Sequence, residues 1–359
     1  MIVPNENRLN TEYRISKFGG PSVITATQTQ LAAPKAGEVQ LRILATGLSM
    51  ADVLIRRGVY VDIKKPAVVL GYEALGVIEV LGEGVAIKHP NLTVGKQVAV
   101  MSLIGNNTHY RNIGVDHVVP LPKNVSNEQI PQAASIMLNY VTAYQMLHRQ
   151  QLTFIETATL KKVLIHSAAG GVGMALIQLL KPFNLELYGT ASKKNHARLK
   201  RYGVKPIDYR TENVAQVCQQ AGGMDVVFDG IGGNHLNSSK QCLTPKGQLV
   251  FYGMTELITG EQPTKIAFIK YMLTTARYFF KAKLCKRYSF YSITDYRKKQ
   301  PQWFFDDFYK VFNLFLNGTV NPELAPVLPM SQIAEAHRKL EFGELSGKQV
   351  LIPDPLFIK

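Results

Sequence analysis

Up to about residue 130 the apolar positions fall in short bursts separated by glycine and proline. Strands are predicted at Val39–Leu44, Gly76–Leu81, Lys96–Met101 and His117–Leu121, with glycines at 82, 84, 95, 105 and 114 between them. Short strands at that spacing point to a β-barrel-like or sandwich-like domain. From Asn127 the spacing becomes helical and stays so to about Gln150. Strand and helix patterns then alternate. Strands are predicted at Lys162–Ser167, Leu185–Thr190, Pro206–Asp208, Asp225–Phe228, Gln248–Tyr252 and Tyr288–Ile293. Helices are predicted from near Gly173, at Asn195–Tyr202, at 302–317 and at 331–341, before a last strand, Gln349–Ile352. Such alternation implies parallel pairing in a doubly wound α/β sheet.

Composition adds bounds rather than detail. The chain of 359 residues is 46% hydrophobic and 19% charged, which is globular and argues against disorder. Lys plus Arg is 41 against 26 Asp plus Glu, a net charge of +15, which favours an anionic partner such as a phosphorylated cofactor. Three cysteines, Cys218, Cys242 and Cys285, form no CxxC pair and cannot make a disulfide framework or a four-cysteine zinc lobe. The N-terminal residues contain no signal-like apolar run, and no stretch is apolar enough to span a bilayer. A reducing, cytoplasmic location is expected.

The segment Val163 to Gly173 carries the most chemistry. An apolar strand runs into Ala168-x-Gly170-x-x-Gly173, and a helix follows with Ala175, Leu176, Leu179, Leu180 and Phe183 on one face. Small residues there permit a sharp turn, close approach of backbone to a pyrophosphate, and tight packing of helix on strand. The helix N-terminus offers unpaired N–H groups to phosphates. Ala169, Gly170, Gly171 and Val172 are the candidate contacts. The competing reading, a tight turn with no ligand, is weakened by the strands that follow.

The second strand ends in Gly189-Thr-Ala-Ser192-Lys193-Lys194, and no Asp or Glu occurs from Leu187 to Ile207. An NAD site usually places a carboxylate there for the ribose 2′-hydroxyl. A hydroxyl and two ammonium groups suit a 2′-phosphate instead, so NADPH is the expected cofactor. Tyr209, at the end of the third strand, adds a stacking edge. The plainer alternative is a solvated, lysine-rich helix start.

Residues 262–294 carry seven Lys or Arg and no Asp or Glu, interleaved with Ile266, Phe268, Ile269, Leu273, Phe279, Phe280 and Leu284. This reads as a helix or flap packed over the protein with lysines reaching to water. A weak association with an acidic membrane surface is the alternative, and it requires an exposed apolar face. No nucleic-acid-binding module is present, so a nucleic-acid partner is not expected.

With those residues in hand, the sequence resembles the medium-chain dehydrogenase/reductase superfamily. Within it, the chain is similar to the zinc-independent quinone oxidoreductase (zeta-crystallin) group and to the vesicle amine transport protein family. The resemblance rests on Gly47–Asp52 with Ile55–Tyr60, Gly71–Gly76, Leu138–Tyr144, Ala168–Ala175, Gly189–Ser192, Pro206–Tyr209 and Phe251–Met254. It implies a GroES-like β-barrel domain plus a Rossmann doubly wound parallel-sheet domain. The implied layout is a GroES-like part at 1–134, the Rossmann NADP-binding domain at 135–293, and a return to the GroES-like domain at 294–359, with the nicotinamide in a cleft between the two.

The resemblance also implies site residues. Tyr60 and Asn139 are the catalytic candidates, as hydrogen-bond donors to a reduced carbonyl oxygen, and Thr142 lines the cofactor. Gly230, Ile231 and Gly232 with Tyr252 and Gly253 flank the nicotinamide ribose, and Phe290 and Ser292 approach the nicotinamide. The strand carrying them often pairs across a dimer axis, so a homodimer is expected. Zinc-dependent members carry Cys near the position of Ser49 and Gly-His-Glu where this chain has Gly71-Tyr72-Glu73; no metal is expected. Glu73 reads as structural, one carboxylate in a glycine-rich turn with no evident acid–base partner. The implied activity is hydride transfer from NADPH to a quinone or an α,β-unsaturated carbonyl. The alternative is an NADPH-binding, membrane-surface-associated protein with little or no turnover.

Overall fold

In the computed structural model, residues 8–150, 152, 161–258 and 265–357 are described. The chain divides into two units: residues 1–138 with 322–359, and residues 139–321.

The first unit is built on antiparallel sheet. Strands β1 (Leu9–Ile15), β2 (Ile24–Gln30) and β4 (Val68–Val69) form a three-stranded sheet in the order β2-β1-β4. β3 (Glu38–Gly47), β5 (Glu73–Leu81), β6 (Gln97–Met101), β7 (Tyr110–Gly114) and β8 (Val118–Pro120) belong to a second sheet, in which β3 pairs with both β5 and β7. Alternation puts Val39, Leu41 and Ile43 of β3 on one face, where they pack with Ala74, Ile78, Val98, Val100, Ile113 and Val118. Two helices sit in this first stretch, α1 (Met50–Arg57) and the single turn α2 (Val85–Lys88). α1 opens on a capping box. Ser49 Oγ donates to Asp52 Oδ2 at 2.7 Å, and the same oxygen accepts the Ser49 N–H at 2.8 Å.

The predicted helix from Asn127 is interrupted. A 3₁₀ turn at Asn127–Gln129 leads into α3 (Ile130–Ala133), which carries Pro131 in its first turn, and α4 (Ile136–Arg149) begins afresh. The second unit then alternates strictly: β9 (Lys161–Ile165), α5 (Gly171–Leu180), β10 (Leu185–Ala191), α6 (His196–Arg201), β11 (Lys205–Asp208), α7 (Val214–Gln220), β12 (Met224–Asp229), α8 (His235–Gln241), β13 (Leu243–Phe251), α9 (Lys265–Leu284) and β14 (Tyr288–Phe290). All six strands are parallel, in the order β11-β10-β9-β12-β13-β14. That is the Rossmann order, with the reversal between β9 and β12. On one face, Leu164, Ile207, Val227, Leu249 and Phe251 pack with Leu236, Tyr278 and Tyr288.

Three local expectations are corrected. The last strand of this sheet ends at Phe290 rather than Ile293, because Ser292 caps a new helix, α10 (Ile293–Lys299), by accepting the Asp295 N–H. Phe183 lies beyond the end of α5. The chain leaves this unit after Asn321, not at 294. The cause is α11 (Pro301–Leu316), whose buried Asp307 accepts hydrogen bonds from Gln145 at 3.0 Å and from Arg149 at 2.9 Å, both on α4.

The chain ends in the first unit. β15 (Leu328–Pro329), α12 (Ile333–Glu341) and β16 (Val350–Ile352) follow, and β16 pairs with β3 to complete the seven-stranded sheet. Tyr13, Leu48, Met330, Ile333, Ala336 and Leu351 form a second core there. No described helix is long and apolar enough to cross a membrane.

Candidate functional site

In a parallel sheet every strand ends on the same edge. The carboxyl ends of β9 to β14 therefore gather the glycine turn, Ser192 to Lys194, Tyr209, Gly230 to Gly232, Tyr252 with Gly253, and Phe290 to Ser292 along one rim. That rim, at the reversal of strand order, is where open α/β sheets take ligands.

The turn after β9 is tightly built. Ser167 sits at φ 54°, the left-handed region that costs a side-chain-bearing residue about 1 kcal/mol or more. Its N–H is held by Thr190 Oγ1 at 3.0 Å. Gly170 caps α5 in an extended conformation with no side chain closing the helix end. A Cβ on Gly173 would lie 2.6 Å from the Ala168 carbonyl oxygen, so only glycine lets α5 pack this close to the strand exit. Gly171 lies against a side chain instead: a Cβ there would meet the Asn139 amide. Asn139 of α4 thus lies against the first residue of α5, at the glycine turn. The helix N-terminus is open, carries partial positive charge and offers its N–H groups, as a pyrophosphate requires.

At the end of β10, Ser192 is nearly buried and its hydroxyl accepts from the Asn195 amide at 3.4 Å, while Lys193 and Lys194 extend into water. Tyr209 is 54% exposed, with the Arg210 guanidinium 5.7 Å from its ring centre. One cation went unread in the sequence: Arg198 of α6 donates to the Ala169 carbonyl at 3.2 Å, bringing a guanidinium to the glycine turn. Its only sequence signal was its place one turn into the helix after the lysines.

The exits of β12 and β13 are pressed together. A Cβ on Gly230 would meet the Tyr252 ring at 2.9 Å, and Gly253 lies directly on the Gly230 backbone. Asp229 Oδ1 folds the turn by accepting from the N–H groups of Ile231 at 2.7 Å and Gly232 at 3.0 Å. Burial alone would raise the Asp229 carboxyl; hydrogen bonds from His235 and Ser239 and the nearby His166 outweigh that and hold it well below the usual range. Burial lowers His166 to about 4. Tyr252 is driven upward by burial and by Asp229, so its hydroxyl stays protonated. Thr142 is buried on α4, and Tyr291 bonds Gln145 there at 2.8 Å. The Phe290 ring packs on Phe251 and Phe279.

Tyr60 belongs to the other unit. Its hydroxyl lies 3.3 Å from that of buried Tyr72, with the rings edge to face. Ser49 is engaged with Asp52, whose other oxygen accepts the Gly71 N–H at 3.2 Å. Glu73 is held in place: Lys348 lies at 2.5 Å from Oε1, and Oε2 accepts the Leu138 N–H at 2.7 Å. Burial pushes this carboxyl up, and Lys348 pulls it back. Ser49 and Glu73 are therefore committed here to a helix cap and an ion pair, and Tyr72 faces Tyr60.

Comparison with known proteins agrees with this architecture. Residues 35–127 match the model of the alcohol dehydrogenase GroES-like domain, and 203–351 that of a zinc-binding dehydrogenase. Synaptic vesicle membrane protein VAT-1 homolog from Homo sapiens is 30% identical over 354 residues, covering 95% of this chain and 86% of that protein. The Danio rerio protein of the same name is 31% identical over 332 residues, and the match takes in 66% of its length. A 2-haloacrylate reductase from Burkholderia is 31% identical over 67% of this chain and 72% of its own. Escherichia coli quinone oxidoreductase, solved in complex with NADPH, superposes with a TM-score of 0.77 at 26% identity, over 96% of this chain and all of that one. The chain thus belongs to the medium-chain dehydrogenase/reductase superfamily, on its zeta-crystallin and VAT-1-like branch.

Proposed function

We propose that this protein is an NADPH-dependent oxidoreductase that reduces a quinone or an α,β-unsaturated carbonyl without a catalytic metal. The observation that carries the reading is the pairing of an open helix N-terminus at the glycine turn with the hydroxyl and two ammonium groups that end β10. The first suits a pyrophosphate and the second a 2′-phosphate. The NADPH complex of the Escherichia coli relative and the reductase activity named for the Burkholderia relative point the same way.

When bound, NADPH supplies a hydride to an electron-poor carbon and leaves as NADP⁺. The protein's part is to orient and to stabilise charge. The α5 N–H groups, with Arg198 beside the turn, hold the pyrophosphate. Ser192, Lys193 and Lys194 select the 2′-phosphate, and the Gly230–Gly232 turn with Tyr252 and Gly253 flanks the ribose. Tyr60, by its position in the resemblance, donates a hydrogen bond to the oxygen that gains negative charge, and the proton that completes reduction comes from water. The test is NADPH oxidation followed at 340 nm across a panel of quinones and enones. Turnover with a Tyr60→Phe variant slowed on the order of tenfold supports the assignment. Cofactor binding with no turnover on any acceptor removes the catalytic claim.

A second reading is favoured by α9. The helix packs through Tyr271 and Tyr278, while Ile266, Ile269, Leu273, Phe280 and Leu284 are 56–71% exposed along the opposite side. Lys270, Arg277 and Lys283 flank them, and no acidic residue lies between 262 and 294. An apolar stripe edged by cations fits an acidic lipid surface. Flotation with vesicles containing or lacking acidic lipid tests it; absence of lipid-dependent association excludes it. We also propose a homodimer through β14, which stands at the sheet edge; a monomeric mass by light scattering would refute that.

A further inference from the structure

His166 directly follows β9, Asp229 ends β12 and His235 opens α8, so three separate stretches of chain meet beneath the sheet rim. Each offers one ligand atom, and these atoms all lie within 4.8 Å of one another; among the described residues no other group of His, Cys, Asp and Glu does this. The two imidazoles are 4.4 Å apart at 86°. His235 Nδ1 is 2.8 Å from Asp229 Oδ2.

A second observation is independent of the clustering. His166 is 1% exposed, and its Nε2 has no hydrogen-bond partner. An imidazole nitrogen left bare in a buried position forfeits a hydrogen bond it would have made with water. The rest of the ring is held: Nδ1 faces Thr190 Oγ1 at 3.3 Å, which leaves Nε2 as the free atom. Asp229 is supported as well. Ser239 donates to Oδ2 at 2.6 Å, and the Ile231 and Gly232 N–H groups fix Oδ1. Ligating histidines and carboxylates elsewhere are oriented by outer partners of this kind.

We infer that His166, Asp229 and His235 bind one divalent transition-metal ion, with zinc as the natural occupant. Two imidazoles and one carboxylate with a fourth position open to water is a donor set that suits zinc. On binding, the proton shared between His235 Nδ1 and Asp229 moves to His235 Nε2 or to solvent, and the ion takes its place. His235 is the partly exposed member and provides the way in. This is not the place where zinc-dependent members of the superfamily hold their ion, since Ser49, Tyr72 and Glu73 lie in the other unit. The ion would clip β9 and β12 to the start of α8, and it takes no part in the proposed hydride transfer.

The test uses the full chain, stripped with a chelator and titrated with Zn²⁺ and, as a spectroscopic probe, Co²⁺. One equivalent should bind, Co²⁺ should develop visible absorption typical of low coordination, and thermal unfolding should move upward. His235→Ala should weaken binding by tenfold or more and abolish the Co²⁺ band. Asp229→Asn should do the same, with circular dichroism showing that each variant is folded. No saturable binding, or binding of unchanged affinity in both variants, overturns the inference. Loss of NADPH oxidation with metal binding intact would count against the proposed activity alone.

Discussion

Lys348 Nζ lies 2.5 Å from Glu73 Oε1, and both side chains are withdrawn from water. A buried ion pair need not stabilise a fold, but removing one member leaves the other charge without compensation. Lys348→Met should therefore cost about 3–5 kcal/mol. The double variant Lys348→Met/Glu73→Gln should recover part of that loss. Urea denaturation of the two variants checks it, and equal losses would show that the carboxylate does not depend on the ammonium.

His337 supplies a pH dependence. It is fully buried on α12, both ring nitrogens lack partners, and burial with Arg56 nearby lowers it to about 3. Its folded-state value thus lies below that of an unfolded histidine, near 6.5. The unfolded chain takes up the proton first. The stability is fully present above about pH 6.5 and drains away as pH falls toward 3, by about 1.4 kcal/mol per unit. His337→Leu should flatten this limb relative to the parent chain. Parallel curves of stability against pH for the two proteins would show that the imidazole is not the titrating group.

Gly173→Ala tests the strand-to-helix packing. The new methyl would sit 2.6 Å from the Ala168 oxygen and 2.7 Å from that of Ser167, both backbone atoms that cannot swing aside. The expected cost is about 1–3 kcal/mol, with loss of saturable NADPH binding as α5 is pushed from the turn. Thermal unfolding and cofactor fluorescence report the two effects separately.

Cofactor choice rests on Lys193 and Lys194. Replacing both by Ala should reduce the preference for NADPH over NADH on the order of 10²-fold, by weakening NADPH alone. Titration of each nucleotide against parent and variant settles it; an equal loss for both would assign the lysines a general electrostatic role.

Much of the second unit was legible because its signals are local. The glycine spacing, the apolar strands and the absence of acid after β10 all lie in short windows, and the parallel order follows from alternation. The first unit was less legible. β1 reads Leu-Asn-Thr-Glu-Tyr-Arg-Ile and β2 Ile-Thr-Ala-Thr-Gln-Thr-Gln, sequences too polar to announce strands, and their pairing is what makes them so. Of the candidate site, the rim residues could be read one by one. The partner of Glu73 could not, because nothing near residue 73 points to residue 348. Nor could the meeting of His166, Asp229 and His235, which depends on strand order rather than spacing. The helix capped by Ser292 was hidden by Tyr288 to Ile293, whose aromatic and β-branched residues look like continuous strand.

The β16–β3 pairing joins Val350 to Gly47 and Leu351 to Thr46, and the ion pair beside it joins residues 275 positions apart. During synthesis the first unit emerges early yet lacks β16, Leu351 of its second core and the cation that answers Glu73 until residues 348–352 have been made. The inserted unit has every one of its strands long before then and is free to mature first. A polypeptide stalled or clipped before residue 348 would accordingly display a finished parallel-sheet unit tethered to an incomplete antiparallel one, a species that quality control would meet with its apolar edge unpaired.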